Sequence, residues 1–154
     1  MATAKPKMVN QFKITGDCIS HSRTDCEVRD VEVTIDEPLA RDGTNMGLTP
    51  VETLMSALLG CTNVISHKIA HRDGVEFADM SVPATVDFNR GGTQLMEEVE
   101  VPFPKVLLDI HVTTSADDAA IDRIKTDLGK FCPLAKVIRA AGTEIVETWH
   151  VTRP

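Results

Sequence analysis

The sequence predicts an α+β fold with a largely antiparallel sheet, on three observations. Two segments alternate: Val31, Val33 and Ile35 strictly with Glu32, Thr34 and Asp36, and later Val106, Leu108, Ile110 and Val112 at every second position. Such period-two patterns read as strands with one face wet and one buried. Between them lies one long apolar-rich run that opens on a helix-start signal at Thr49-Pro50-Val51-Glu52. Two shorter helical patterns and a last strand follow, so strands and helices are grouped and do not alternate as βαβ units. At 154 residues the chain suits one domain, residues 1–154, that buries roughly two-thirds of its unfolded surface without disulfide staples. Residues 1–7 are expected to be flexible.

Taken in order, Val9, Phe12 and Ile14 form the first strand pattern, a turn is expected near Gly16-Asp17, and Val31–Ile35 follows as a strand that Asp36-Glu37-Pro38 stops. Leu39 to Leu48, with Gly43, Asn45 and Gly47, reads as a loop. Thr49 and Glu52 form a capping box, with Pro50 at the tolerated first helical position. The helix they start is expected to run to about Arg72, before Gly74. Its apolar residues (Leu54, Met55, Leu58, Leu59, Val64, Ile65 and Ile69) cover more than one stripe, which predicts a long central helix buried on most sides. Val82 to Phe88 is expected as a strand, an acidic irregular connection runs through Pro102 and Pro104, and the strand at Val106–Val112 returns antiparallel. Ser115 is expected to cap a second helix with Asp117 and Asp118 in its first turn and Ile121, Ile124, Leu128 and Phe131 along its apolar stripe. Gly129 and Pro133 interrupt it, a third helix reaches Gly142, and Ile145 to Val151 closes the chain as a strand.

Composition excludes several classes of function. The chain carries 16 Lys and Arg against 23 Asp and Glu, a formal charge of −7, without a basic cluster. A nucleic-acid partner is not expected from that balance, nor from an aromatic content of 4% with no Tyr. The best candidate for a membrane span is broken by Asn63, His67 and Lys68, so none is expected. No apolar segment follows the positive N-terminus as a secretory signal would require, and a cytoplasmic location is expected. Four cysteines without regular spacing then read as free thiols, ligands or catalytic groups, not a structural framework.

Cys61 and Cys132 carry the chemistry. Cys132 precedes Pro133 at a helix start, where unpaired N–H groups favour an anion, so its thiolate is expected to form more easily than in a model peptide. Cys61 lies about three turns into its helix among Leu58, Leu59 and Ile65, where burial opposes ionisation. Only about 3% of an unperturbed thiol is ionised at pH 7, so a reactive Cys61 needs a cation. Arg41, in the glycine-rich loop, is the nearest in sequence, and Arg29 on the preceding strand is the alternative. For each cysteine the competing reading is a small buried core residue.

Cys18 and Cys26 flank a polar turn with Ser20, His21 and Arg23, but no CxxC or HxxxH spacing supports a metal site there. His67 and His71 stand at i, i+4 on the long helix without the glutamate of a hydrolytic zinc motif, which suits a solvated helix face.

Asp36-Glu37-Pro38, the glycine-rich loop to Gly47, Pro50-Val51-Glu52-Thr53-Leu54 with Cys61 eleven residues after Pro50, and Phe131-Cys132-Pro133 together resemble the family of osmotically inducible protein C and organic hydroperoxide resistance protein. The resemblance runs from about Val31 to Val151. It implies an OsmC-like fold, an interlocked homodimer and a thiol-dependent peroxidase that reduces organic (alkyl or lipid) hydroperoxides, with no metal or flavin cofactor. By resemblance Cys61 is the peroxidatic cysteine and Cys132 the resolving one. An arginine, matched by Arg41, activates Cys61 and is held by a glutamate, matched by Glu52. A dithiol reductant, a lipoylated or thioredoxin-like protein, is the implied partner. Val51 stands where the organic hydroperoxide branch has a glutamate directly after the proline.

Glu52 lies nine residues before Cys61, about two and a half turns and roughly 13 Å along one helix, so it cannot touch the Cys61 of its own helix. It is either a capping residue alone or part of a site on the partner chain. Leu48, Met55, Leu58 and Phe131 are expected to line an apolar entry. A non-catalytic small-molecule binding or stress-associated module on the same scaffold is the alternative function.

Overall fold

The computed structural model describes residues 8–154, and the expected flexibility of residues 1–7 lies outside the described residues. The chain divides into two compact units, Met1–Leu54 and Met55–Pro154.

The first unit is an antiparallel meander of β1 (Thr15–Cys18), β2 (Thr24–Val28) and β3 (Val31–Ile35). Two expectations are corrected here. Gly16-Asp17 is not a turn but lies inside β1, where Gly16 pairs with Cys26 and Asp17 with Asp25. The reversal falls at Ile19–Arg23, where the Ile19 and Ser20 amides donate to the Arg23 carbonyl and the Ser20 hydroxyl accepts from the Ser22 and Arg23 amides. Val9 and Phe12 precede the first strand. The alternation of β3 does not produce burial either: Val31 and Val33 are each 50% exposed, as are most apolar side chains of this unit. Among the described residues of this unit, the only buried side chains are polar, Asp36 and Thr49.

Asp36 organises the segment after β3. Its carboxylate accepts from the Glu37, Thr44 and Met46 amides and from the Thr44 hydroxyl. The short 3-10 turn Leu39–Arg41 thereby becomes part of a closed loop whose end returns to β3 through an Ile35–Leu48 bridge. Gly43 is required there, because a Cβ would collide with the Glu37 carbonyl.

Helix α1 spans Pro50–Arg72, as its start and stop signals predict. The capping box forms: the Thr49 amide donates to Glu52 Oε2 at 2.8 Å, and the Glu52 amide donates to Thr49 Oγ1 at 3.3 Å. The buried positions Met55, Leu58, Thr62, Ser66, Ile69 and Ala70 recur at intervals of three and four and make one stripe. Within a single chain the helix is therefore not buried on most sides, and Leu54 (40%) and Val64 (47%) remain exposed.

The rest of the second unit closes over that stripe. β4 (Asp79–Ser81) and β5 (Ala84–Val86) pair with opposite ends of β6 (Lys105–Thr113), so the strand expected at Val82–Phe88 is shortened to Ala84–Val86 and a separate strand precedes it. Pro83 has no amide for the ladder, but its carbonyl still accepts from the Asp109 amide across the break. β7 (Glu144–Thr152) lies parallel to β6 over nine paired residues, which makes this sheet mixed.

A parallel pair needs a long crossover, and α2 (Asp118–Phe131) with α3 (Pro133–Ala140) supplies it. Asp117, not Ser115, caps α2, its Oδ1 accepting from the Ala120 amide at 2.7 Å. Gly129 does not interrupt the helix, since only Pro133 removes an amide. Phe131, expected on the apolar stripe, is 55% exposed in the last turn.

The core joins Met55, Leu58 and Ile69 of α1 to the inward residues of β6, to Ile121, Ile124 and Leu128 of α2, and to Ala135 and Ile138 of α3. Leu58 is wholly enclosed in it. Leu58→Ala should therefore lower unfolding stability by about 2–5 kcal/mol, read as a reduced urea midpoint with an unchanged slope.

Candidate active site

The second unit brings the two chemically expected cysteines together. Leu128 and Ile138 anchor the ends of the α2–α3 elbow in the core, and Cys132 sits at its corner as both the last cap of α2 and the first cap of α3. Its amide donates to the Leu128 carbonyl at 2.9 Å and its sulfur accepts from the Ala135 amide at 3.5 Å. Cys132 has no exposed surface, whereas Cys61 on α1 is half-buried at the edge of the same core. Their Sγ atoms are 3.1 Å apart, with Cys132 as donor and Cys61 as acceptor. A disulfide needs about 2.05 Å, so small side-chain rotations would close the gap.

The acidity expected of Cys132 is corrected. Burial pushes its thiol up to about 11; the Ala135 amide pulls the other way, and the hydrogen bond given to Cys61 adds to the rise. The helix-start reading identified the cap and its amide, but could not show that the corner is sealed by core on every side. The thiol proton at neutral pH therefore stays on Cys132, directed at the sulfur of Cys61.

The first unit holds Arg41, Glu52 and Arg29. Arg41, at the end of the 3-10 turn, is in ion contact with Glu37 (Nε to Oε2, 2.5 Å), a close charge pair without the alignment of a hydrogen bond. Glu37 was not singled out in the sequence as a partner for arginine. The four-residue spacing from Arg41 was the available signal, hidden because Pro38 suggested an extended break. Glu52 is committed to the Thr49 amide. That hydrogen bond first, then the Thr49 hydroxyl and the charge of Arg41, hold its carboxyl below the usual range against the opposing effect of burial. Arg29 is not on a strand as expected but in the turn between β2 and β3, exposed and at φ 58°.

The remaining candidates stay apart from this chemistry. Cys18 is exposed on β1, and Cys26 is half-buried on β2, facing Gly16. His67 and His71 are exposed on α1, with His67 Nδ1 3.0 Å from the Asn63 carbonyl and its ring edge-on to Phe77. Among the described residues no group of three or more His, Cys, Asp or Glu is arranged to hold a metal ion, and no helix is long and apolar enough to cross a membrane.

A family model described as OsmC-like protein matches residues 43–147. The chain belongs to the OsmC-like family. Solved structures agree on the fold at low identity. An OsmC-like protein from Mycoplasma pneumoniae superposes with a TM-score of 0.78 at 16% identity, covering 94% of this chain and 99% of that one. An organic hydroperoxide resistance protein from Legionella pneumophila gives 0.62 at 13% identity, covering 95% and 99%. Another from Elizabethkingia anophelis gives 0.61 at 12% identity, covering 97% and 100%. No curated protein gives a significant match.

The OsmC-like loop that carries Arg41 depends on an ionised Asp36. The Thr44 hydroxyl chiefly, with the Met46, Glu37 and Thr44 amides, holds that carboxyl well below the usual range although burial opposes it. Its contribution to stability is complete above the ordinary carboxylate pKa near 4 and is lost as the pH falls through the depressed value. Asp36→Asn should lower the melting temperature at pH 7, and the gap from the parent protein should narrow progressively as melts are repeated toward pH 2.

Proposed function

We propose that this OsmC-like protein is a thiol-dependent peroxidase that reduces organic hydroperoxides, alkyl or lipid, through Cys61 and Cys132. The observation that carries the reading is the 3.1 Å approach of a half-exposed acceptor sulfur to a sealed donor sulfur. The Cys61 thiolate attacks the terminal peroxide oxygen, the O–O bond breaks, and the alkoxide takes a proton to leave as alcohol, with Cys61 now a sulfenic acid. The Cys132 thiol, already aimed at Cys61, then displaces hydroxide; its proton completes a water molecule and a disulfide remains. A dithiol reductant, a lipoylated or thioredoxin-like protein, returns both sulfurs to thiols. No metal or flavin is required by this sequence of steps. The names of the Legionella and Elizabethkingia relatives fit a hydroperoxide substrate.

In this reading Arg41 supplies the permanent positive charge that favours the Cys61 thiolate, and Glu52 holds that charge as well as capping α1, with the two sites completed in a homodimer. The apolar side chains left open on the first unit, Phe12 (81% exposed) and Ile14 (57%) among them, suit burial by a second copy. Residues 1–154 act as one OsmC-like domain, the family match running through both units. A cytoplasmic setting would keep all four cysteines free.

Reduced protein titrated with cumene hydroperoxide should lose two thiols per equivalent of peroxide within seconds. A slow background loss alone would leave the small-molecule binding reading of the scaffold. Cys132→Ser should stop at a sulfenic acid on Cys61, detected by a dimedone adduct in the mass spectrum. Glu52→Gln keeps an acceptor for the Thr49 amide and should slow peroxide reduction about tenfold, the effect of losing roughly 1.4 kcal/mol of charge stabilisation. An unchanged rate would leave Glu52 the cap alone.

A further inference from the structure

The two sulfurs differ in how they can be reached, and that difference bears on the reductive half of the cycle. Cys132 has no exposed surface and is enclosed at the α2–α3 corner, with Leu128 and Ala135 buried on either side of it. Cys61 lies at the margin of the core with part of its surface open. Thiol–disulfide exchange requires a thiolate to approach one sulfur in line with the bond it breaks, so access decides which sulfur is attacked. Forming the disulfide draws the sulfurs together by about one ångström from 3.1 Å, a displacement that side-chain rotation supplies without opening the corner.

We propose that the reductant enters from the side of Cys61, forms its mixed disulfide with Cys61 alone, and expels Cys132 as the leaving thiolate. This rests on the peroxidase reading for its place in the cycle, but the exchange chemistry can be tested without peroxide. In the first step one thiolate of a dithiol bonds to Cys61 Sγ while the Cys61–Cys132 bond breaks, and the electron pair leaves on Cys132. The Ala135 amide, 3.5 Å from that sulfur, is the donor in place to meet the new charge before the sulfur is reprotonated. In the second step the other thiolate of the dithiol attacks its own partner sulfur, closing the reductant's disulfide and releasing Cys61 as thiolate. The reductant loses two electrons and the protein gains two.

The same geometry gives Cys132 a further part. While the mixed disulfide stands, the expelled sulfur remains beside Cys61 and competes to re-form the original bond. The second thiol of the reductant must therefore act quickly, which an intramolecular thiol can do.

The test uses the full chain with Cys18 and Cys26 replaced by serine, so that only the two core sulfurs report. In that background Cys132→Ser leaves Cys61 alone and Cys61→Ser leaves Cys132 alone. Native Cys61 should react with 5,5′-dithiobis(2-nitrobenzoate) at least ~10-fold faster than native Cys132, and the difference should vanish in denaturing guanidinium chloride. The two-cysteine protein, oxidised with diamide, should then be exposed to a monothiol, quenched in acid and digested. The adduct should lie on the peptide containing Cys61.

An adduct on Cys132, or equal native reactivity of the two thiols, overturns the proposal. Because the disulfide is made with diamide, an absence of peroxide turnover in a parallel assay would count against the peroxidase reading and not against the direction of attack.

Discussion

The corner residue between α2 and α3 is the constraint on which the meeting of the two sulfurs rests. A helix that ended anywhere else would not seat Cys132 against α1. The seat itself is fixed by ordinary packing: Leu128, Ala135 and Ile138 are driven inward as the apolar stripes of two short helices, and Pro133 compels the turn between them. What is placed there is a sulfur whose proton has only one direction to go. Burial raises the thiol of Cys132, and its proton is offered to Cys61. Two chemically identical residues are thus made unequal by their surroundings, Cys132 sealed and donating, Cys61 partly open and accepting.

The two units are held by different kinds of force. In the second, apolar stripes from α1, α2 and α3 close on the inward face of β6, and stability follows from area removed from water. In the first, the buried side chains among the described residues are Asp36 and Thr49, each accepting hydrogen bonds from neighbouring backbone amides. A carboxylate that accepts from three amides and a hydroxyl fixes a loop as firmly as a small apolar cluster would, but it does so only while ionised. Arg41, in the 3-10 turn of that loop, is carried on the same polar frame.

Much of this was legible in the sequence. The capping box and the Arg72–Gly74 stop delimit α1 because both ends carry local hydrogen-bonding signals that do not depend on the rest of the fold. Cys61 and Cys132 stood out by their helical neighbours and by family resemblance, and the family match and solved relatives agree with the fold it implied. What was not legible depends on partners distant in sequence. Alternation in β3 signalled a strand but not that Val31 and Val33 would stay half exposed. The hydrophobic run of α1 could not show which residues would meet β6. The acidity of Cys132 depended on burial by residues of other elements, which no local pattern encodes. Asp36 looked like a strand terminator because its four donors lie ahead of it in a loop of uncertain path.

The long parallel register between β6 and β7 has a consequence for the history of each molecule. β7 follows β6 in the chain only after the two helices bearing the corner cysteine, which form the bridge between the paired strands. Pairings so remote along the chain are completed late, after the entropy of closing the bridge has been met. The α2–α3 bridge that seats Cys132 beside Cys61 is therefore drawn into place late in folding, as β7 finds its register along β6.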